Sequence, residues 1–345
     1  METWVDSLLA WYRANRREMP WRGHPDPYAV WVSEIMLQQT QVDTVRPYFT
    51  RFLKTFPGIA SLAAAADEPL LKAWEGLGYY TRVRNMRKAA RTMLERFGGK
   101  LPRTPAELRT LPGIGDYTAA SVASICFGVP EPVVDGNVAR VFARFFLLRD
   151  DFSAQPPRRR LADRLRPHIE ASGAPSDFNQ AMMELGALVC TPRRWVCERC
   201  PLRAECRAAA GGCQADYPVS KAAKPLPLRK ADVLLLRRPE DGAILFSRHA
   251  GERLLGGFWE LPAKTDCPIP IGRPRRLMVY HQTFSHFRLE MTVRTAPVRA
   301  AGPLPEDGTF RWETDLSALP LTTATRKILG HPQKAVTASR TEPSQ

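Results

Sequence analysis

Five of the seven cysteines fall between Cys190 and Cys213, and four of them, Cys190, Cys197, Cys200 and Cys206, follow the spacing C-x6-C-x2-C-x5-C. Structural zinc usually draws on two close pairs set far apart. Four thiols on one 17-residue loop can instead wrap a compact [4Fe–4S] cluster, with zinc the alternative that spacing alone leaves open. An odd cysteine count with one tight group is not a disulfide framework, and a chain of 345 residues can bury a core without such staples. Arg193, Arg194, Glu198, Arg199 and Arg203 make the loop polar, which argues against four unliganded buried thiols and suits contact with phosphate.

Two carboxylates stand out. Asp135 lies in Val133-Val134-Asp135-Gly136-Asn137-Val138; beside apolar residues and glycine it could approach a sugar and stabilise an oxocarbenium ion, although Asp-Gly-Asn is also an ordinary turn. Glu34 lies in Trp31-Val32-Ser33-Glu34-Ile35-Met36-Leu37-Gln38-Gln39-Thr40. Apolar neighbours would desolvate it and raise its pKa as a general acid needs, whereas a glutamate on the solvated side of an amphipathic helix is the commoner case. Leu111-Pro112-Gly113-Ile114-Gly115-Asp116-Tyr117-Thr118 allows a tight turn whose Gly113 and Gly115 admit a polyanion, with helix N–H groups free to bind phosphate.

These residues need elements to carry them. Residues 1 to about 210 read as helical, with one long helix expected from Tyr28 to Val45, ended by Pro47. Thr104-Pro105-Ala106-Glu107 reads as a capping box, and Ser176 as the cap of a helix bearing Phe178, Met182, Leu185 and Val189. Residues 218–230, with three prolines and four basic residues, read as a linker. Beyond them the period changes to two. Val233–Leu236 and Ala243–Phe246 flank a turn at Pro239–Gly242, a hairpin pattern, and Phe287, Leu289, Met291 and Val293 alternate with polar residues as in a half-buried strand. Leu321–Leu329 suits a helix, and residues 332–345 are polar and unpatterned. The expected domains are 1–217, containing the cysteine loop 190–206, and 231–331.

Fifty Lys and Arg against 35 Asp and Glu give a net charge of +15, spread over both parts rather than confined to a tail. A polyanion is the natural partner, although a drift toward arginine that only aids solubility gives the same total. No apolar run reaches the roughly 18 residues of a membrane span, and the acidic N-terminus is unlike a targeting segment, so a cytoplasmic monomer without membrane association is expected.

The cysteine spacing, together with LPGIGDYT about 75 residues before it, resembles the helix-hairpin-helix, iron–sulfur DNA glycosylases of the endonuclease III and MutY branches. The resemblance implies an all-α glycosylase domain with a [4Fe–4S] loop, followed by an α+β Nudix-like (MutT-like) domain. Branch members that cleave the backbone carry lysine where this chain has Tyr117, and no lysine occurs from Leu101 to Ser220; a Schiff-base lyase would need one. The segment around Glu34 resembles the MutY signature, which the endonuclease III branch lacks. The resemblance therefore implies a monofunctional glycosylase of base excision repair that flips out and removes adenine opposite 8-oxoguanine or guanine in double-stranded DNA. It assigns Glu34 as acid, Asp135 as oxocarbenium stabiliser, and Tyr117 and Asn137 as orienting residues. Pro20-Trp21-Arg22 and Glu184 match its adenine pocket; Gln39, Thr40, Leu77, Tyr79, Gly113, Gly115 and Thr118 match positions that bind DNA or wedge into it. Phe284-Ser285-His286 matches its 8-oxoguanine loop. Gly256-Gly257-Phe258-Trp259-Glu260 resembles the start of a Nudix segment, but the acids that would bind Mg²⁺ are missing, so nucleotide hydrolysis is not expected. A lyase for oxidised pyrimidines and a non-catalytic DNA-binding protein are the competing readings.

Overall fold

The computed structural model describes residues 3–219, 225–248, 256–299 and 302–330. The expected tail 332–345 and residues 220–224 of the expected linker lie outside the described residues. Helices follow in the order α1 Trp4–Asn15, α2 Pro27–Leu37, α3 Val42–Thr55, α4 Ile59–Ala63, α5 Asp67–Trp74, α6 Thr81–Arg96, α7 Pro105–Leu108, α8 Asp116–Phe127, α9 Gly136–Phe146, α10 Gln155–Ala171, α11 Pro175–Leu188 and α12 Arg207–Gly211. Then come β1 Leu228–Leu234, β2 Ile244–Arg248, β3 Trp259–Glu260, β4 Arg275–Thr283, β5 Arg288–Thr295, β6 Phe310–Glu313 and α13 Thr323–Gly330. Among the described residues no helix is long and apolar enough to cross a membrane.

The chain divides into two compact units, Met1–Ala65 with Tyr79–Lys224, and Ala66–Gly78 with Pro225–Gln345. The first is helical, as expected, but it differs from a continuous 1–217 domain in one place: α5 and the turn after it group with the second unit. Within the first unit, α1, α9, α10 and α11 enclose a core in which Trp4 meets Phe142 edge-on at 5.5 Å.

Three local expectations are corrected. The long helix from Tyr28 to Val45 is two helices, α2 and α3, broken at Gln38–Gln41, with Gln39 in the left-handed region at φ 58°. Pro47 therefore does not end a helix; it lies in the second turn of α3, where it removes only one intrahelical bond. Ser176 is not a cap: Pro175 starts α11 at its first position after Ala174, and Ser176 Oγ accepts from Gln180 Nε2 at 3.0 Å instead. Thr104 does accept from the Glu107 N–H, at 3.3 Å.

The second unit holds two three-stranded sheets, ordered β1-β5-β4 and β3-β2-β6. The turn at Pro239–Gly242 exists, closed by Arg238 N–H donating to Ala243 O at 2.8 Å. It joins a short antiparallel pairing, with Arg237 opposite Ile244 and Leu245 N–H donating to Leu236 O at 3.2 Å. The hairpin therefore forms next to its turn, while β1 before it pairs in parallel with β5 and β2 goes on to pair with β3 and β6. That parallel pairing, from Leu228 opposite Arg288 onward, also recruits Leu228–Lys230 from the expected linker into a strand. β4 pairs antiparallel with β5, so the small sheet is mixed. Of the four residues expected to face inward, Phe287 and Val293 are buried and Leu289 and Met291 are half-buried.

Candidate active site and cysteine-lined cavity

Tyr28 to Met36 are all buried, so α2 has no solvated side on which a charge could rest. Glu34 is 6% exposed, and its Oε2 accepts from Ser121 Oγ at 2.7 Å and Tyr117 Oη at 3.2 Å. Burial pushes the Glu34 carboxyl above its ordinary value; the two hydroxyls oppose this, nearby Asp135 adds to it and Arg22 opposes it. The rise favours the protonated form that a general acid requires. Ser121 lies one helical turn after Tyr117 on α8 and so shares its face, a relation readable in the sequence but missed there.

Asp135 is the N-cap of α9. Its Oδ1 accepts from Val138 N–H at 2.7 Å and its Oδ2 from Asn137 Nδ2 at 2.9 Å, which is why a helix begins at Gly136. Burial leaves the Asp135 pKa raised overall, and those hydrogen bonds limit the rise. The Asp-Gly-Asn stretch is thus a helix start and not an ordinary turn. Asn137 Oδ1 in turn accepts from Arg140 Nη2 at 2.8 Å, and Arg140 also donates to Gly186 O and Cys190 O, each at 2.8 Å. A Cβ on Gly186 would lie 2.6 Å from Asn137 Cβ, so only glycine lets α11 approach the start of α9 this closely.

Trp21, Arg22, Glu34, Tyr117, Asp135, Asn137 and Glu184 line one cleft of about 590 Å³. Trp21 is buried and meets Phe49 edge-on at 5.3 Å. Glu184 accepts from Arg17 Nε at 2.9 Å and from Arg22 Nη2 at 3.2 Å. Burial opposes its charge, but Arg17 and Arg22 overcome that and bring its pKa to about 2. Glu184 is therefore an ionised anchor for two arginines at the cleft wall.

The break between α2 and α3 is held from α6. Arg82 Nη1 donates to Ile35 O at 2.7 Å, Met36 O at 3.0 Å and Gln38 O at 2.6 Å, while Gln38 Nε2 donates to Thr118 Oγ1 at 3.0 Å. Gln39 is exposed and Thr40 half-buried. Tyr79, 43% exposed, has φ 49°, and the Arg82 guanidinium lies 5.5 Å from its ring centroid. The two residues expected to enter the duplex, Gln39 and Tyr79, are thus both left-handed and non-glycine, strain typical of functional positions. Leu77 is buried and groups with the second unit. Thr118 is likewise buried and acts on the Gln38 loop.

In the α7–α8 hairpin Gly113 has φ 79°, and a Cβ there would lie 2.6 Å from Asn85 Cβ. Gly115 does not turn the chain by a positive φ. It caps α8 at φ −93° with nothing within 4 Å of a Cβ position, which leaves bare backbone at a helix N-terminus.

Cys190, Cys197, Cys200 and Cys206 line a second cavity with Val141, Phe145, Val189 and Leu202. Arg144 Nη1 lies 3.2 Å from Cys190 Sγ, and Gln214 Nε2 lies 3.4 Å from Cys197 Sγ. Sulfurs sharing one zinc at about 2.3 Å must lie roughly 3.8 Å from each other; among the described residues no three His, Cys, Asp or Glu side chains form a group able to hold a metal ion.

In the second unit, Phe284–His286 forms the tip between β4 and β5, closed by Phe284 N–H donating to Phe287 O at 2.8 Å. Ser285 and His286 are exposed. Phe284 stacks on Phe287 at 4.5 Å, and Arg229, not singled out from the sequence, covers that ring at 4.4 Å.

Residues 32–167 match the HhH-GPD superfamily of base excision DNA repair proteins. The adenine DNA glycosylase of Homo sapiens is 32% identical over 396 aligned residues, covering 93% of this chain and 72% of that protein. The chain belongs to the adenine DNA glycosylase family. The Rattus norvegicus adenine DNA glycosylase is 45% identical over 211 residues, 59% of this chain and 41% of the relative. Among solved structures, a thermostable thymine-DNA glycosylase aligns with a TM-score of 0.55 and 27% identity over 60% of this chain and 95% of its own. An endonuclease III–DNA complex, at a TM-score of 0.52 and 24% identity over 60% of this chain and 94% of its own, shares the helical glycosylase fold. As an adenine DNA glycosylase the chain is a DNA N-glycosylase, whose reaction breaks the bond between base and sugar.

Proposed function

We propose that this adenine DNA glycosylase removes adenine paired with 8-oxoguanine or guanine, without lyase activity, through Glu34 and Asp135. The observation that carries the reading is the pairing of a buried and a half-buried carboxyl in one cleft, one bonded to two hydroxyls and one capping a helix. Glu34 protonates the extruded adenine at N7, and the N-glycosidic bond breaks. Asp135, whose N–H partners favour its ionised form, stabilises the resulting oxocarbenium ion. Water then attacks the sugar with Glu34 as base, and the proton returns to Glu34. Tyr117 orients Glu34, and Asn137 orients Asp135. A tyrosine bonded to the acid, where a lyase would need an amine, supports cleavage of the base alone. Trp21 and Arg22 form the adenine pocket, with Arg22 held by Glu184. Gln39 and Tyr79 fill the space the base leaves.

The second unit, in this reading, is a Nudix-like domain without a metal site, and its exposed Ser285 and His286 bond the N7–H and O8 of 8-oxoguanine, with Phe284 as the intercalating ring. Four thiols within 17 residues that line one cavity, with hydrogen-bond donors reaching two of the sulfurs, suit a [4Fe–4S] cluster. Its ligands would be Cys190, Cys197, Cys200 and Cys206, and it would supply a rigid, electron-rich anchor for the loop. Glu34→Gln tests the assignment of the acid: adenine release falls by about 10²–10⁴-fold while affinity for the mismatched duplex holds. Equal loss of binding would contradict it.

A further inference from the structure

The wedge attributed to Tyr79 stands at the end of a chain segment that does not pack with its sequence neighbours. α5 and the residues up to Gly78 group with the second unit, and at Tyr79 the chain returns to the first. α5 is fixed there at both ends. At its start Glu68 Oε1 accepts from Arg248 Nη1 at 3.0 Å and Trp259 Nε1 at 3.3 Å. At its end Glu75, 7% exposed, accepts from Leu321 N–H at 2.9 Å and pairs with Lys72 at 2.9 Å and with Arg326 of α13. Lys72 also donates to Leu319 O at 3.0 Å. A buried carboxylate bound by a backbone N–H and two cations is a rigid point, since moving it would strand charge away from its partners.

After Glu75 the chain enters a tight turn. Gly76 has φ 100°, Gly78 φ 71° and Tyr79 φ 49°, and Trp74 Nε1 donates to Gly78 O at 3.1 Å, tying the turn to its own helix. Leu77 N–H also donates to Trp74 O at 3.1 Å, so the short link from Glu75 to Tyr79 is bonded back to the end of α5.

We propose that Glu75, held by Arg326 and the Leu321 N–H, is a positioning residue through which the second unit sets the wedge Tyr79. The residues that carry the lesion-reading tip then also carry the root of the wedge, so engagement of the base opposite adenine and unstacking of the adenine are mechanically joined. The inference rests on the proposed role of Tyr79 as a wedge.

A double-mutant cycle on the full chain tests it, using single-turnover adenine release from a duplex bearing adenine opposite 8-oxoguanine. Arg326 is half-exposed, so Arg326→Ala is compatible with folding; Glu75→Gln is the second variant, and the thermal melting point of each is recorded. If Arg326 acts through Tyr79, Arg326→Ala slows release by about tenfold, Arg326→Lys restores most of the rate, and Arg326→Ala adds no further loss once Tyr79→Ala is present. Fluorescence of 2-aminopurine placed beside the target pair falls in the same variants, because less unstacking occurs. Losses that multiply in the double variant, or a wild-type rate in both Arg326→Ala and Glu75→Gln, would overturn the coupling. Absence of adenine release by the wild-type protein would instead overturn the proposed function.

Discussion

At the scale of single residues the chemistry turns on which carboxyl keeps its proton. Glu34 is raised by burial and, more weakly, by Asp135, and lowered by Ser121 and Tyr117. Ser121→Ala removes one donor to the charged form, so the pKa of Glu34 rises further. Because the acid must be protonated, the alkaline limb of the pH–rate profile for adenine release moves to higher pH in this variant; a limb that moves to lower pH would contradict the role of Ser121. The same burial costs stability. Below the ordinary value of 4.5 folded and unfolded states are both protonated at Glu34. As pH rises the unfolded chain ionises first, so the folded state loses stability until its own raised pKa is passed. Glu34→Gln therefore gains thermal stability over the wild type at pH 7, and that gain shrinks toward pH 4. Their neighbours in sequence left Glu34 and Asp135 open to blander readings, and the family resemblance singled them out. Ser121 required the helical face to be drawn, and the arginine clamp on Glu184 required the fold, since Arg17 and Arg22 lie more than 150 residues from it in the chain.

At the scale of elements, the site depends on where helices stop. The apolar run from Tyr28 onward reads as one helix because nothing in it breaks the pattern. The break at Gln38–Gln41 is imposed by Arg82, over forty residues away, whose guanidinium takes the carbonyls that continued helix would have used. Likewise the apolar runs Val233–Leu236 and Ala243–Phe246 and the turn between them were visible and pair next to that turn, but not that β1 would take a parallel partner, since long-range pairing has no local signal. The approach of α11 to α9 is the most sensitive of these contacts. Gly186→Ala places a methyl against Asn137, and the overlap forces the two helices apart. We expect it to destabilise the protein by about 1–3 kcal/mol, read as a lower denaturation midpoint, and to slow adenine release more than it weakens DNA binding, because Asn137 orients Asp135. A wild-type rate in Gly186→Ala would show that this close approach does not matter to the chemistry.

For the whole molecule, the net charge of +15 and bare backbone at the α8 N-terminus favour a polyanion. Binding to duplex DNA is expected to weaken steeply with salt, by about a thousandfold between roughly 50 and 200 mM if about six phosphates are neutralised; a flat salt response by electrophoretic mobility shift would remove charge as the driving term. The two-part organisation was legible from the change of hydrophobic period near residue 230. The assignment of Ala66–Gly78 to the second unit was not, because it comes from Glu68 and Glu75 meeting partners about 180 and 250 residues away. Adenine excision opposite 8-oxoguanine is the central claim. Single-turnover release of adenine from such a duplex, compared with an adenine–thymine duplex and with strands analysed before and after alkali, tests it most directly. The expected result is release at the lesion pair alone, with strand breaks only after alkali. Equal release from both duplexes, breaks without alkali, or tight binding with no release would each contradict it.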